Sequence, residues 1–447
     1  MIISFSVENW RSFREQATLS MVAGREKQHS ERLSEVPGYG MKLLPAAAIY
    51  GANASGKTNL FKSLNSAKNL IVAGTQPESL IPVEPFRLDP ACHSLSSKFR
   101  FELFINGKCF EFSFAVTQQR VMEEKLVEIL KTAEKPLYNR TGDNIEFHSS
   151  LNKNKFLHFA FKGTRENQLF LTNSVNQKVD IFKPVYDWFK NNLVLIAPDS
   201  RFGPFEQFIQ EDHPLYRIMN NMLPLLDTGI EYIGGEEMPF DHIPIPEPLK
   251  LKLKTELQEG MTVRWLTEPI NERFLVTRKG GELKAKKLVS FHRNINGEDI
   301  KFEMQQESDG TQRTIDLLPA FLEMAAADSD RVFVIDELDR SMHTLLTRRL
   351  LEGYLFACGP KCRSQLLFTT HDVLLMDQDL LRRDEMWVTE RDRDGSSTLF
   401  SFSEYKDVRN DKDIRKSYLQ GRLGGIPRIL MGTLCSNNEN KTAGDQS

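Results

Sequence analysis

Apolar and polar positions alternate from Ile2 to Val7, with Ile3, Phe5 and Val7 opposing Ser4 and Ser6, the pattern of a strand with one buried face. A turn through Asn9-Trp10-Arg11-Ser12-Phe13 leads to a second short strand around Ala17 to Met21. The polar, charged stretch from Gly24 to Gly40, broken by Pro37 and Gly38, is expected to be a mobile loop. The apolar run Ala46-Ala47-Ala48-Ile49-Tyr50 reads as a buried strand. It gives way to a glycine-containing loop over residues 51 to 56, and then Leu60, Phe61, Leu64, Ala67, Leu70 and Ile71 recur at spacings of three and four, a helix with one apolar stripe. Pro77, Pro82, Pro85 and Pro90 mark a connector. Beyond it Phe99, Phe101, Leu103 and Ile105 alternate toward Asn106-Gly107, and Phe110, Phe112, Phe114 and Val116 alternate away from it, which predicts a hairpin. Val121 to Leu130 continues that antiparallel lobe.

A helical pattern over Val179 to Asn191, with Phe182, Val185, Tyr186 and Phe189 on one stripe, precedes the buried strand Leu193 to Ile196. Residues 205 to 300 show helical signals near 213 to 226 and 248 to 258, the Pro-rich segment Pro239 to Pro248 between them, and a turn at Gly280-Gly281. A mainly helical, α-rich insertion is therefore expected over residues 201 to 300. Thr311 to Ala325 reads as a helix that Pro319 should kink. Val332-Phe333-Val334-Ile335 is apolar throughout, as in strands buried on both faces of a parallel sheet, and it ends in Asp336-Glu337. A helix from about 344 to 356 joins it to a second such run, Leu366-Leu367-Phe368, which ends in Thr369-Thr370-His371-Asp372. These elements make a βαβ unit. The organisation expected is an α/β fold: a mixed, largely parallel sheet and an antiparallel β lobe, with residues 1–200 and 301–430 as two halves of one domain. Residues 431–447, rich in Asn, Glu, Lys, Gly and Ser, are expected to be a disordered tail.

The loop after the first buried strand carries chemistry. Gly51-Ala52-Asn53-Ala54-Ser55-Gly56-Lys57-Thr58 has the spacing G-x-x-x-x-G-K-[ST] between a strand and a helix, which is a P-loop. Its backbone N–H groups converge on phosphate oxygens at a helix N-terminus. Lys57 should reach the β- and γ-phosphates, and the Thr58 hydroxyl should bind Mg²⁺. Ligands of open α/β sheets bind outside the carboxyl ends of the strands. Asp336 at such an end fits a Walker B carboxylate that holds Mg²⁺ opposite Thr58, Glu337 could act as general base on the attacking water, and His371 would lie near the γ-phosphate.

Composition narrows the setting. Lys and Arg total 58 against 61 Asp and Glu, a net charge of −3, so no global electrostatic case for nucleic acid exists, although a local basic patch is compatible with it. Five sparse cysteines without zinc-site spacing fit a reduced, cytoplasmic setting. Neither a leader pattern nor a long apolar run is present, so no membrane span is expected. No heptad pattern is sustained over the length a long coiled coil needs.

These motifs resemble the ABC-type ATPase superfamily, in the branch that includes the SMC and RecF proteins. There a Walker A of the form G-x-N-x-S-G-K-[ST], here with Asn53, Ser55, Gly56, Lys57 and Thr58, precedes a distant signature motif, a Walker B, a D-loop and a switch histidine. Glu307-Ser308-Asp309-Gly310-Thr311-Gln312-Arg313 resembles the signature, with Glu307 and Asp309 departing from the L-S-G-G-Q of transporters. The resemblance implies that Ser308 and Gly310 contact ATP held by a second subunit, so that a homodimer or higher oligomer is needed. Leu338 to His343 stands where the D-loop belongs, and Asn9-Trp10-Arg11-Ser12-Phe13 resembles a segment whose basic and hydroxyl side chains, here Arg11 and Ser12, approach the nucleotide. No glutamine stands out as a Q-loop.

More narrowly, Val7 to Phe13, Pro85-Phe86-Arg87-Leu88, the signature-like segment, Asp336-Glu337-Leu338-Asp339 and Tyr418 to Pro427 resemble the short stand-alone ATPases of bacterial phage-defence operons, of the RloA and AbiL type. That resemblance implies an ATP- and Mg²⁺-dependent switch or scaffold controlling an operon-encoded effector, such as a nuclease or TOPRIM-like protein. A RecF-like repair or recombination ATPase that binds DNA directly is the alternative. A transporter's ATPase subunit fits less well, since the N-terminal lobe and signature depart from that pattern.

Overall fold

The computed structural model describes residues 1–200, 208–211, 213–267, 272–405, 414–420 and 424–425. A six-stranded sheet lies at its centre, in the order Leu193–Ile196, Val332–Ile335, Gln365–Thr369, Ala46–Gly51, Met386–Arg391, Ser397–Ser401. The first five strands run parallel and the last is antiparallel. The strands Ala46–Gly51 and Val332–Ile335 are apolar at every position because each face has its own core. Ala47, Ile49, Val332, Val334 and Leu367 join one cluster with Leu60, Phe61 and Leu64 of the helix Lys57–Val72. Ala46, Ala48, Tyr50, Phe333, Ile335 and Phe368 join another, with Ile315, Leu318, Leu350 and Leu351 of the helices Asp309–Ala325 and Thr344–Ala357. Each fully buried Leu, Ile or Phe contributes about 1.5–3 kcal/mol. A sheet covered on both sides can be wet only at its ends, which is where the chemistry stands.

The second sheet has seven antiparallel strands: Asn144–Phe147, Glu134–Thr141, Val121–Ile129, Lys108–Val116, Ser97–Ile105, Ile2–Glu8 and Ala17–Ser20. Its predicted hairpin is present with Ile105 opposite Lys108, and Asn106 and Gly107 take φ of 49° and 80°, the two positive values of a type I′ turn. The inward aromatics Phe5, Phe99, Phe101, Phe112 and Phe114 share a core with the P-loop helix, so the lobe and the phosphate loop are packed as one body.

Three expectations are corrected. The segment Gly24–Gly40, expected as a mobile loop, is packed: Leu33 and Val36 are buried, Ser34–Val36 pairs with Met41–Leu43, and the Arg382 guanidinium donates to the carbonyls of Glu26 and Gln28 at 3.1 and 2.6 Å. Its polar groups are satisfied from a distant part of the chain, which local composition cannot reveal.

The insertion is not mainly helical. Its helices Tyr216–Met222 and Glu247–Glu256 flank a five-stranded antiparallel sheet ordered Tyr232–Pro239, Glu282–Arg293, Arg273–Lys279, Thr262–Leu266, with Asp299–Glu303 also paired to Glu282–Arg293. Both faces of that sheet are partly buried, Phe274, Val276 and Ala285 toward one cluster and Leu275 and Leu288 toward another. Lysines 284, 286 and 287 interrupt the same strand, so no clean two-residue alternation survives. The Gly280-Gly281 turn is present, closing Lys279 onto Glu282.

The helix predicted over Val179–Asn191 is the short α segment Lys183–Asp187 followed by a π turn over Trp188–Asn192, with Pro184 in its first turn. The helix Asp309–Ala325 is continuous through Pro319. The expected tail lies outside the described residues.

Candidate functional site

The loop after Gly51 is shaped by close approaches. A Cβ on Gly51, at φ +147°, would stand 2.5 Å from the Thr389 carbonyl, and one on Gly56, at φ +118°, would stand 2.5 Å from Ser397 Oγ and 3.2 Å from Ser12 Oγ. Only glycine fits at either place. Ser55 Oγ meets Thr389 Oγ1 at 2.6 Å, and Asn59 donates to Ser12 Oγ at 2.9 Å. The Ser12 carbonyl in turn accepts from Ser397 N at 2.7 Å. Arg11, at φ +50°, is held by its own N–H on the Glu84 carbonyl at 2.7 Å and by an ion pair to the Glu84 carboxylate.

Lys57 opens the helix and folds back over the loop, its ammonium donating to the carbonyls of Gly51 at 2.7 Å and Ala52 at 3.1 Å. Burial lowers its pKa to about 8, against the opposing pull of Asp336, Glu337 and Asp339. A desolvated cation with only carbonyl partners is suited to an anion of higher charge.

At the end of the neighbouring strand Asp336 is completely buried; its Oδ1 accepts from Thr369 Oγ1 at 2.6 Å, and its Oδ2 has no hydrogen-bond partner. The same Thr369 hydroxyl accepts from Glu337 N at 2.8 Å, where Glu337 takes φ +50°. One threonine therefore fixes both carboxylate-bearing residues. The His371 backbone N donates to Asp339 Oδ2 at 3.4 Å, and burial, followed by the Lys57 charge, holds its ring below the ordinary imidazole pKa. Among the described residues no group of three or more His, Cys, Asp or Glu could hold a metal ion, so a cation here would take much of its coordination from phosphate and water.

A cavity of about 740 Å³ unites these parts. Arg11, Ser12, residues 52 to 59, Glu337 and His371 line it, with Lys62, Glu84, Phe86, Arg87, Leu88, Arg391 and Gly395 completing the wall. Of the residues expected at the site, Asn53, Ser55, Gly56, Lys57, Thr58, Arg11, Ser12, Glu337 and His371 are brought together. Asp336 lies beneath them, in electrostatic reach of Lys57.

Ser308 and Gly310 are not in this cavity's lining. Ser308 caps the helix Asp309–Ala325, its Oγ accepting from Thr311 N at 3.1 Å, and a Cβ on Gly310 would stand 2.4 Å from the Ser341 carbonyl. Asp309, Gln312, Arg313, Arg340 and Ser341 line a separate pocket of about 300 Å³.

Sequence reasoning missed Thr369, Thr389 and Ser397. Thr369 stands two residues before His371 and its strand-end position was a usable signal. Thr389 and Ser397 belong to no motif.

The covered parallel sheet, the glycine-shaped loop with its buried lysine and the buried acid on a neighbouring strand end define a P-loop NTPase. The chain belongs to the family described as AAA domain, putative AbiEii toxin, Type IV TA system, which matches residues 46–377. Among solved structures it is similar to the SMC head domain from Thermotoga maritima, with 13% identity and a TM-score of 0.35 over 90% of this chain and 98% of that one. It is also similar to an SMC head bound to the C-winged helix domain of ScpA, with 11% identity and a TM-score of 0.35 over 90% and 97% of the two chains. No curated protein matches this chain in sequence. Among the described residues no helix is long and apolar enough to cross a membrane.

Proposed function

We propose that this protein binds and hydrolyses ATP with Mg²⁺ as a homodimeric switch that controls a partner effector in bacterial phage defence. Convergence of the buried Lys57 ammonium, Glu337 and His371 on one cavity, with the unpaired Asp336 Oδ2 in electrostatic reach of Lys57, is the observation that supports ATP binding and hydrolysis. Arg11, Ser12, Asn53, Ser55 and Gly56 shape the phosphate end, and Lys57 neutralises the β- and γ-phosphates. The orphaned Asp336 oxygen and the Thr58 hydroxyl are hard oxygen donors that fit Mg²⁺, which when bound offsets phosphate charge. Glu337 accepts the proton of the attacking water, and neutral His371 hydrogen-bonds the γ-phosphate.

Residues 1–200 and 301–430 form the ATPase body in this reading, and 201–300 an insertion. Separation of Ser308 and Gly310 from their own subunit's cavity supports their action on ATP held by the other subunit, through a two-fold contact. The effector and the defence role rest on the resemblance of the motifs at both ends of the chain, and direct DNA binding of the RecF kind is the competing reading.

Subunit mixing tests the proposal. Lys57→Ala and Ser308→Arg chains should each be inactive, whereas mixed heterodimers should recover about one competent site, because both defects fall in one composite site. A mixture shown by native mass spectrometry to have exchanged subunits, yet no more active than its components, would refute the shared site.

A further inference from the structure

Glu307, immediately before the helix-capping Ser308, is buried, although it stands where transporters carry leucine. It is not in the lining of the nucleotide cavity, and its carboxylate is bonded to the inserted sheet. Oε1 accepts from His292 Nε2 at 2.7 Å and from the Ser290 hydroxyl, both on the strand Glu282–Arg293. The His292 ring is held in turn against Phe302, at 4.5 Å between centroids, on the paired strand Asp299–Glu303. Gln312 then reaches back to donate to the Glu307 carbonyl at 2.9 Å, tying the anchored residue to the first turn of the helix. About one turn further along, Asp316 makes a buried ion pair to the inserted sheet, with Arg273 at 2.7 Å. A buried carboxylate is tolerated only with its partners in place, so these links define one relative position of strand and helix.

From this geometry we infer that Glu307 is a positioning residue: through Ser290 and His292 the inserted sheet sets the placement of Ser308, and so couples its own packing to assembly of the ATP site. The inference rests on the reading of Ser308 as the contact to the partner's ATP. The coupling is reciprocal, so ATP-driven closure also bears on the sheet.

The test uses full-length protein. Glu307→Ala should bind ATP within about threefold of wild type, since Lys57 and its loop are untouched, while turnover falls of the order of a hundredfold through misplacement of Ser308. In a Glu337→Gln background, ATP-dependent dimers seen by analytical ultracentrifugation should be lost with Glu307→Ala and retained with Glu307→Gln, whose amide oxygen can still accept from Ser290 and His292. The pair Ser290→Ala/His292→Ala should reproduce the Glu307→Ala defect, and the triple variant should lose no more than Glu307→Ala alone. If Glu307→Ala fails to fold, the Ser290→Ala/His292→Ala pair carries the same test. Multiplying losses in the triple variant would overturn the inference, as would wild-type dimerisation and turnover of Glu307→Ala beside an inactive Ser308→Arg. An active Ser308→Arg would overturn the signature reading instead.

Discussion

Replacing Thr369 by valine keeps its shape and removes one hydroxyl, yet that hydroxyl serves two residues of the proposed reaction. It donates to Asp336 Oδ1 at 2.6 Å and accepts from Glu337 N at 2.8 Å, in a site where Thr369 is only 3% exposed. A hydrogen bond to a charged group is worth about 1.5–3 kcal/mol, and a buried N–H left unpaired costs about 1–3 kcal/mol. Against this, Glu337 held at φ +50° stores roughly 1–3 kcal/mol that is released once its backbone relaxes. The balance is about 2–3 kcal/mol against the productive arrangement, or roughly 30- to 150-fold in turnover. Phosphate release at saturating ATP and calorimetric ATP titration check this together. Turnover of Thr369→Val should fall by that factor, ATP affinity should change only a few-fold because Lys57 and the loop are intact, and Thr369→Ser should recover most of the loss. A Thr369→Val protein turning over within threefold of wild type would show that this hydroxyl does not organise the two acids.

Glu337→Gln keeps the size of the side chain but not its basicity, so it should bind ATP normally and hydrolyse it of the order of a hundredfold more slowly, measured by single-turnover phosphate release; an unchanged rate would move the base elsewhere. Lys57 predicts a pH dependence. Its pKa of about 8 in the nucleotide-free protein lies below the ordinary 10.5, so the ammonium is lost as pH rises through 8, and phosphate favours the charged form. The Kd for ATP should be flat below about pH 7 and weaken by about tenfold per unit above 8, until the bound-state pKa is reached. Lys57→Arg should abolish that slope, and a flat wild-type profile to pH 9.5 would contradict the burial argument. The same depression makes Lys57 favour the unfolded chain below about pH 8, a penalty that fades between 8 and 10.5 as the unfolded state loses its proton.

The parts of the fold legible in sequence were those where one rule acts alone. Ala46–Gly51 and Val332–Ile335 are apolar throughout because two cores claim alternate residues, and the Asn106-Gly107 hairpin is set by a turn that needs two positive φ values. The insertion was misread because its strands obey two demands at once: Lys287 of the strand Glu282–Arg293 is held by Glu272 and Glu303 while its neighbour Leu288 enters the main core. Polar residues satisfied from afar are equally invisible, as with Arg382, which holds the segment around Glu26 from the far end of the chain. Local pattern carries no information about such partners.

The candidate site shows the same division more sharply. Of the ten non-glycine residues with positive φ among those described, Asn9, Arg11, Ala54, Glu337 and Ser341 belong to segments that build the site or abut it. Only Asn9 is of a residue type that takes this conformation readily, and its side chain shows why it can: Asn9 donates to the Cys92 carbonyl at 3.0 Å and accepts from Phe86 N at 3.1 Å, replacing local bonds by distant ones. Arg11 and Glu337 have no such intrinsic tolerance and are held by Glu84 and Thr369. Strain of this kind persists only where the surroundings over-determine it. A motif therefore announces which side chains are present at the site. The residues that force the backbone to aim them, Glu84 and Thr369 here and Glu307 beside the signature, come into view only when their partners do.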